Sequence, residues 1–239
     1  MRNVAHIEKT HHHRDLAEPF ARARDRGFDG VEIVIGRGAT CELLGDPEDC
    51  HAIRETARRC GIEVLSALLD DDPAVRIGAA DDWERSENVG LVRAVVQRCR
   101  RLNPRIVRLV PAVVRTEPDR AGQPYQDALN RTCASLEALR GDFERSGVIA
   151  GVMPCHHGFL LSPPEFRELL DRVNSPLVGA ALDYAACVRV GDPADWISTL
   201  QHRLAAMVID TPAPDDAVVE ALRDLRFDGL LIYTGRWIG

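Results

Sequence analysis

Lysine is nearly missing from this sequence: Lys9 is the only one, although basic residues number 30. Acidic residues number 37 and leave a formal net charge of -7, without the clustered Lys and Arg from which phosphate-backbone affinity comes. Nucleic acid is therefore not an expected partner. No apolar run approaches the roughly 20 residues needed to cross a bilayer, so no membrane role is expected. The seven cysteines (Cys41, Cys50, Cys60, Cys99, Cys133, Cys155, Cys187) contain no Cys-x-x-Cys. Their odd count and wide spacing argue for small buried apolar residues in a reducing compartment, not for a zinc cluster or a disulfide framework. Ser/Gly linkers and low-complexity tracts are absent as well. The opening Met1-Arg2-Asn3-Val4-Ala5-His6 has no signal-peptide apolar core, and the expected location is the cytoplasm.

What the sequence does contain is a regular alternation. Its 239 residues, 45% hydrophobic and 28% charged, suit a (β/α) barrel of about 250 residues. Eight strand candidates recur: Asn3–Ile7, Gly30–Ile35, Glu63–Leu69, Ile106–Val110, Val148–Met153, Leu177–Leu182, Ala205–Ile209 and Gly229–Tyr233. Several are almost continuously apolar, as parallel strands covered by helices are. Helix signals fill the gaps: Asp15, Asp46-Pro47, the Ser162-Pro163-Pro164-Glu165 capping box, Asp192-Pro193 and Asp215 as starts, with Gly27, Gly61, Asn103-Pro104 and Gly147 as stops. Arg26-Gly27-Phe28-Asp29-Gly30-Val31 returns as Leu225-Arg226-Phe227-Asp228-Gly229-Leu230, at a helix-to-strand turn both times. The pattern predicts an α/β fold, a TIM barrel forming a single domain over 1–239. Only six residues follow Tyr233, so the barrel is expected to lack its final helix. Either an early helix or a second copy in a homodimer would then cover the last and first strands.

In such a barrel the chemistry sits at the C-terminal ends of the strands. Those ends carry Glu8, Lys9 and His11-His12-His13, then Glu32, Asp70-Asp71-Asp72 and Arg108. Farther along come His156-His157, Asp183, Asp210, and Tyr233 with Thr234 and Arg236. The histidine triplet reads equally well as a solvated loop, and the aspartate triplet reads more readily as a solvated turn and helix start than as a metal site. Arg108 inside an apolar strand needs an anionic partner, either Glu32 or a substrate carboxylate or phosphate. Glu32 and Asp183 also sit in apolar runs, where a carboxylate must be paired or face a polar cavity. Of His156 and His157, neighbours on an extended chain, only one can readily face the site.

The segments Arg26-Gly27-Phe28-Asp29-Gly30-Val31-Glu32, Gly61-Ile62-Glu63-Val64 and Gly147-Val148-Ile149-Ala150-Gly151-Val152 carry a family resemblance. Val178-Gly179-Ala180-Ala181-Leu182-Asp183 and Phe227-Asp228-Gly229-Leu230-Leu231 continue it. Together they resemble the xylose-isomerase-like barrels of sugar phosphate isomerases and epimerases, with the endonuclease IV barrels more distant. The resemblance implies a divalent metal held by carboxylates and a histidine, polarising sugar oxygens while carboxylates move a carbon-bound proton. Of the implied ligands only Asp183 matches. The strand-five Glu falls on Met153 or Pro154, the strand-seven His near Met207, the strand-eight Glu near Tyr233 or Thr234, and the strand-six His on Ala186. Methionine is a poor ligand for Mg or Mn, so the usual metal site is not expected. A rebuilt one from His156, Asp183 and Asp210 is the lesser alternative.

The expected function is proton transfer (isomerisation, epimerisation or elimination) on a small polyhydroxylated or carboxylated metabolite. His156 or Glu32 would act as base, Asp183 as the orienting group and Arg108 as the anion holder. Lys9, His157, Asp210 and Tyr233 are the further candidate substrate contacts. The alternative is a non-catalytic barrel acting as a binding or assembly subunit, with its pocket narrowed by Met153, Met207 and Tyr233.

Overall fold

The structure is a computed structural model that describes residues 1–8, 16–42, 45–69, 75–114, 122–154, 158–210 and 216–235. The chain runs β1 (Arg2–His6), α1 (Ala17–Asp25), β2 (Gly30–Gly36), β3 (Cys41–Glu42), α2 (Pro47–Arg59), β4 (Glu63–Leu69), α3 (Asp82–Leu102), β5 (Ile106–Leu109) and α4 (Tyr125–Ser146). It continues through β6 (Ile149–Val152), α5 (Pro163–Val173), β7 (Val178–Asp183), α6 (Tyr184–Val190), α7 (Pro193–Leu200), β8 (Leu204–Ile209), α8 (Asp216–Asp224) and β9 (Leu230–Tyr233). All the strand pairings are parallel, and β1 pairs with both β9 and β2, which closes eight strands into a ring. The two-residue β3 lies outside that ring, hydrogen-bonded to the end of β2. The α/β TIM barrel is therefore present. The sequence reading did not anticipate β3 or α6, the latter lying between Asp183 and the Asp192 start of the next helix.

Local chemistry sets the boundaries. Asp46 and Asp192 accept hydrogen bonds from Glu48 and Ala194 amides at the starts of α2 and α7, and Ser162 with Glu165 closes a capping box on α5. Asp15 and Asp215 lie outside the described residues. The repeated turn is repeated in space as well. Gly27 and Arg226 hold corresponding left-handed conformations, φ 80° and 53°. The amides on either side repeat the same pair of bonds, Gly27 N–H to Arg24 and Phe28 N–H to Ala23, then Arg226 N–H to Arg223 and Phe227 N–H to Leu222. The glycines three residues on from Gly27 and Arg226, Gly30 and Gly229, sit where a Cβ would come within 2.5 Å of Leu65 or 2.3 Å of the Ala205 carbonyl oxygen.

Side chains alternate across the barrel wall as the strand period requires. Ala5, Val31, Ile33, Val107, Leu109, Ala150, Val152, Ala180, Leu182, Met207 and Leu231 join the larger core between strands and helices. Val4, Leu65, Ile106, Ala181, Ala206, Val208, Leu230 and Ile232 form a smaller cluster within the ring. At the seam between β9 and β1 the outward Ala5 and Leu231 are buried, and Tyr233 packs edge-on against Phe28 at 5.7 Å. The chain covers this seam itself, so the bare surface that motivated a homodimer is not found there. Residues 236–239, on which the expectation of a missing final helix bears, lie outside the described residues. Among the described residues no helix is long and apolar enough to cross a membrane, and the six described cysteines are free thiols.

Candidate functional site

The inward side chains change character along the strands. On β1 Val4 is followed inward by His6, on β5 Ile106 by Arg108, on β7 Ala181 by Asp183, and after β8 Val208 by Asp210. Each polar residue lies one inward step nearer the C-terminal end than its apolar predecessor. The ring is thus plugged by hydrocarbon below and polar at its mouth.

Two of these residues, His6 and Arg108, form one network with Glu32 of β2 and Ser66 of β4. Arg108 donates from Nε to Glu32 Oε2 at 2.7 Å and from Nη2 to Oε1 at 2.6 Å, a two-pronged pairing that matches guanidinium to carboxylate geometry. Ser66 Oγ donates to Oε2 at 2.6 Å, and His6 Nδ1 lies 2.8 Å from Oε1. Glu32 and Ser66 are fully buried and Arg108 is 4% exposed. The His6 side chain retains 16% of its exposure, the most open member of the network. Burial alone would push the Glu32 carboxyl up. The adjacent Arg108 charge, its hydrogen bonds and the bond from His6 outweigh that and hold Glu32 well below the usual carboxylate range. Glu32 is therefore an ionised, acceptor-only group, and each of its oxygens is taken twice.

Asp183 ends β7 and caps α6, accepting the Ala186 amide on Oδ1 at 2.7 Å. Its carboxylate is half-buried, and among the described residues no hydrogen bond ties it to the Glu32 network. Asp210 follows β8 at the rim and is exposed. Met153, next after β6, receives Arg108 Nη1 on its sulfur at 3.1 Å. Tyr233 and Met207 stand on the helix side of the barrel wall, Tyr233 against Phe28 and Met207 within the outer core. Neither side chain lines the mouth, because each falls on the outward phase of its strand. Lys9, His156 and His157 lie outside the described residues, as do the histidine and aspartate triplets and Arg236.

Comparison with known proteins agrees with this architecture. Residues 20–234 match the family described as xylose isomerase-like TIM barrel. The chain belongs to that family. A D-psicose 3-epimerase crystallised in the presence of D-fructose superposes with a TM-score of 0.83 at 14% identity, covering 100% of this chain and 88% of that one. A 3-keto-D-glucoside 4-epimerase from E. coli gives 0.81 at 15% identity, covering 99% and 92%. A protein called AP endonuclease, family 2, from Brucella melitensis gives 0.77 at 17% identity, covering 100% and 94%. Comparison with curated proteins gives no match.

The metal implied by membership in the xylose isomerase-like family can be tested against the donors present. Among the described residues no group of three or more His, Cys, Asp or Glu side chains could hold a metal ion. Where the resemblance places a carboxylate ligand, this barrel has the Met153 thioether with the Arg108 guanidinium against it. A soft sulfur beside a fixed positive charge is the reverse of what a hard divalent cation needs. The described donors do not fit the metal.

Sequence reading missed His6 and Ser66. The signal for His6 was available, since an imidazole two residues after Val4 must share its inward phase. The Ser66 signal was weaker, because β4 carries an irregularity opposite Val31 and Glu32 that shifts the register by one. Simple alternation then assigns Ser66 to the wrong face.

Proposed function

We propose that this barrel moves a carbon-bound proton on a small polyhydroxylated or carboxylated metabolite, as an isomerase or epimerase, with His6 as the acid–base group. The observation that carries the reading is the hydrogen bond between His6 Nδ1 and an ionised Glu32. A carboxylate can only accept, so Nδ1 bears the hydrogen and Nε2 is the basic nitrogen. Glu32 is the positioning residue and Arg108 fixes Glu32, a chain of support that holds the imidazole in one orientation.

In the reaction, Nε2 takes the proton from a carbon beside a carbonyl, and the C–H electron pair moves into an enediolate. Protonation of the opposite face by a second group, for which His156 and His157 are the candidates, inverts that carbon while His6 keeps the proton it took. Delivery to the neighbouring carbon moves the carbonyl instead, and a leaving group on the β-carbon would make the same step an elimination. Asp183, with one oxygen on the Ala186 amide, offers the other to a substrate hydroxyl. The ketose and keto-glucoside substrates named for the similar structures support this substrate class. His156 and His157, which follow β6 in the sequence, are the further candidates for contact with substrate.

A second reading, a binding barrel without turnover, is favoured by the Arg108–Met153 contact. The experiment that separates the two is a ketose and keto-glycoside panel followed by NMR. We expect turnover by the wild type and a loss of about 10²- to 10⁴-fold in His6→Gln and Asp183→Asn, with melting temperature retained. Wild-type turnover in both variants would overturn the assignment.

A further inference from the structure

Alongside α6, the helix that Asp183 caps, lies a cavity of about 410 Å³, lined by Pro154, Leu160, Leu161, Ala186, Cys187 and Trp196, with Arg189 and Val190 also contributing. Its lining adjoins the site residues at two points. Pro154 follows Met153, whose sulfur touches Arg108, and Ala186 donates its amide to Asp183. Burial of Trp196 and Leu160 is nearly complete, whereas Val190 is about half exposed (49%).

We propose that this cavity is a subsite for an apolar substituent, so that the natural substrate is a sugar-like headgroup carrying an aryl-sized aglycone. The proposal rests on the reading of the mouth as a sugar-handling site and adds the other end of the substrate. Three observations carry it. The volume falls in the range of about 300–1,000 Å³ typical of small-molecule sites, and the wall is mostly hydrocarbon. A sugar alone has no use for such a wall, since hydroxyls placed against it would lose their water without gaining partners. Leu160 is held at φ 59°, a left-handed conformation unfavourable for a bulky residue, and forms part of the cavity wall. Backbone strain of this kind persists where the surroundings enforce it and clusters at ligand clamps. Cys187 adds to the apolar wall as an inert thiol, pushed up to about 12 by burial and the nearby Asp183 charge.

The test compares a phenyl hexoside with the matching free hexose, by calorimetry, on the wild type and on Val190→Trp. The phenyl hexoside is expected to bind at least tenfold more tightly than the hexose, with that advantage abolished in Val190→Trp while the hexose affinity stays the same. Leu161→Phe is the second filler, should Val190→Trp fail to fold. Equal binding of hexoside and hexose, or an advantage that survives both fillers, overturns the subsite. Benzyl alcohol alone tests the cavity apart from the sugar reading. Saturable binding lost in the filled variants supports the cavity even where no hexose binds, and its absence overturns the proposal whatever becomes of that reading.

Discussion

Glu32 and Arg108 stand on β2 and β5, with β4 between them, and meet inside the barrel through two hydrogen bonds of 2.6 and 2.7 Å. Neither side chain could be left there alone. Removing one partner of a buried pair costs about 3–5 kcal/mol, because the survivor is an uncompensated charge. Arg108→Met is expected to lose that much in urea unfolding. The double variant Glu32→Leu/Arg108→Met should recover most of it while abolishing turnover, since its His6 has no carboxylate to orient it. A double variant that keeps activity would place the pair in the scaffold only.

The same pair makes a pH signature. Burial opposes ionisation of Glu32, but Arg108 and His6 overcome it, so the folded pKa lies below the unfolded value of about 4.3. A group shifted that way contributes stability that is complete above the unfolded pKa and is lost as pH falls toward the folded one. Unfolding midpoints from pH 7 to pH 3 should therefore fall more steeply for the wild type than for Glu32→Leu/Arg108→Met, with the divergence beginning near pH 4. Parallel curves would mean that the carboxyl is not held ionised.

Asp183 has two separable duties. As the cap of α6 it accepts the Ala186 amide, and asparagine can do the same, whereas alanine loses about 1 kcal/mol. Asp183→Asn should therefore melt like the wild type and Asp183→Ala lower, while turnover falls in both. Full activity in Asp183→Asn would leave the residue a cap and nothing more.

Arg226 occupies the left-handed position that Gly27 fills in the first copy of the turn. A non-glycine residue there costs roughly 1–2 kcal/mol, offset in part by the greater unfolded-state freedom of glycine. Arg226→Gly is expected to stabilise by about 0.5–1 kcal/mol in chemical denaturation. A loss of stability would mean that the arginine side chain contributes more than its backbone costs.

The barrel was legible in the sequence because its signals are local. Apolar strands, acidic caps and a repeated helix-to-strand turn each declare themselves within a few residues. Glu32 and Arg108 were legible for the same reason, being charges in apolar runs, although their pairing with one another was only one of two readings, the other being a substrate anion for Arg108 and a polar cavity for Glu32. His6 was passed over because the expected first strand ran on to Ile7, which put the strand end, where chemistry is sought, at Glu8 and Lys9. Tyr233 misled in the opposite way: aromatic and near a strand end, it is nonetheless on the outward phase and serves the seam against Phe28. The α6 helix and the cavity beside it gave no signal, since a short helix that begins at a strand's last residue has no separate start.

Solvent deuterium tests the central claim most directly. With a ketose panel in D₂O, the account expects the wild type to wash deuterium into the carbon beside the carbonyl. His6→Gln, folded and with an unaltered melting temperature, should do so at least 100-fold more slowly. Equal wash-in by His6→Gln, or none by the wild type with any ketose or keto-glycoside, would contradict it.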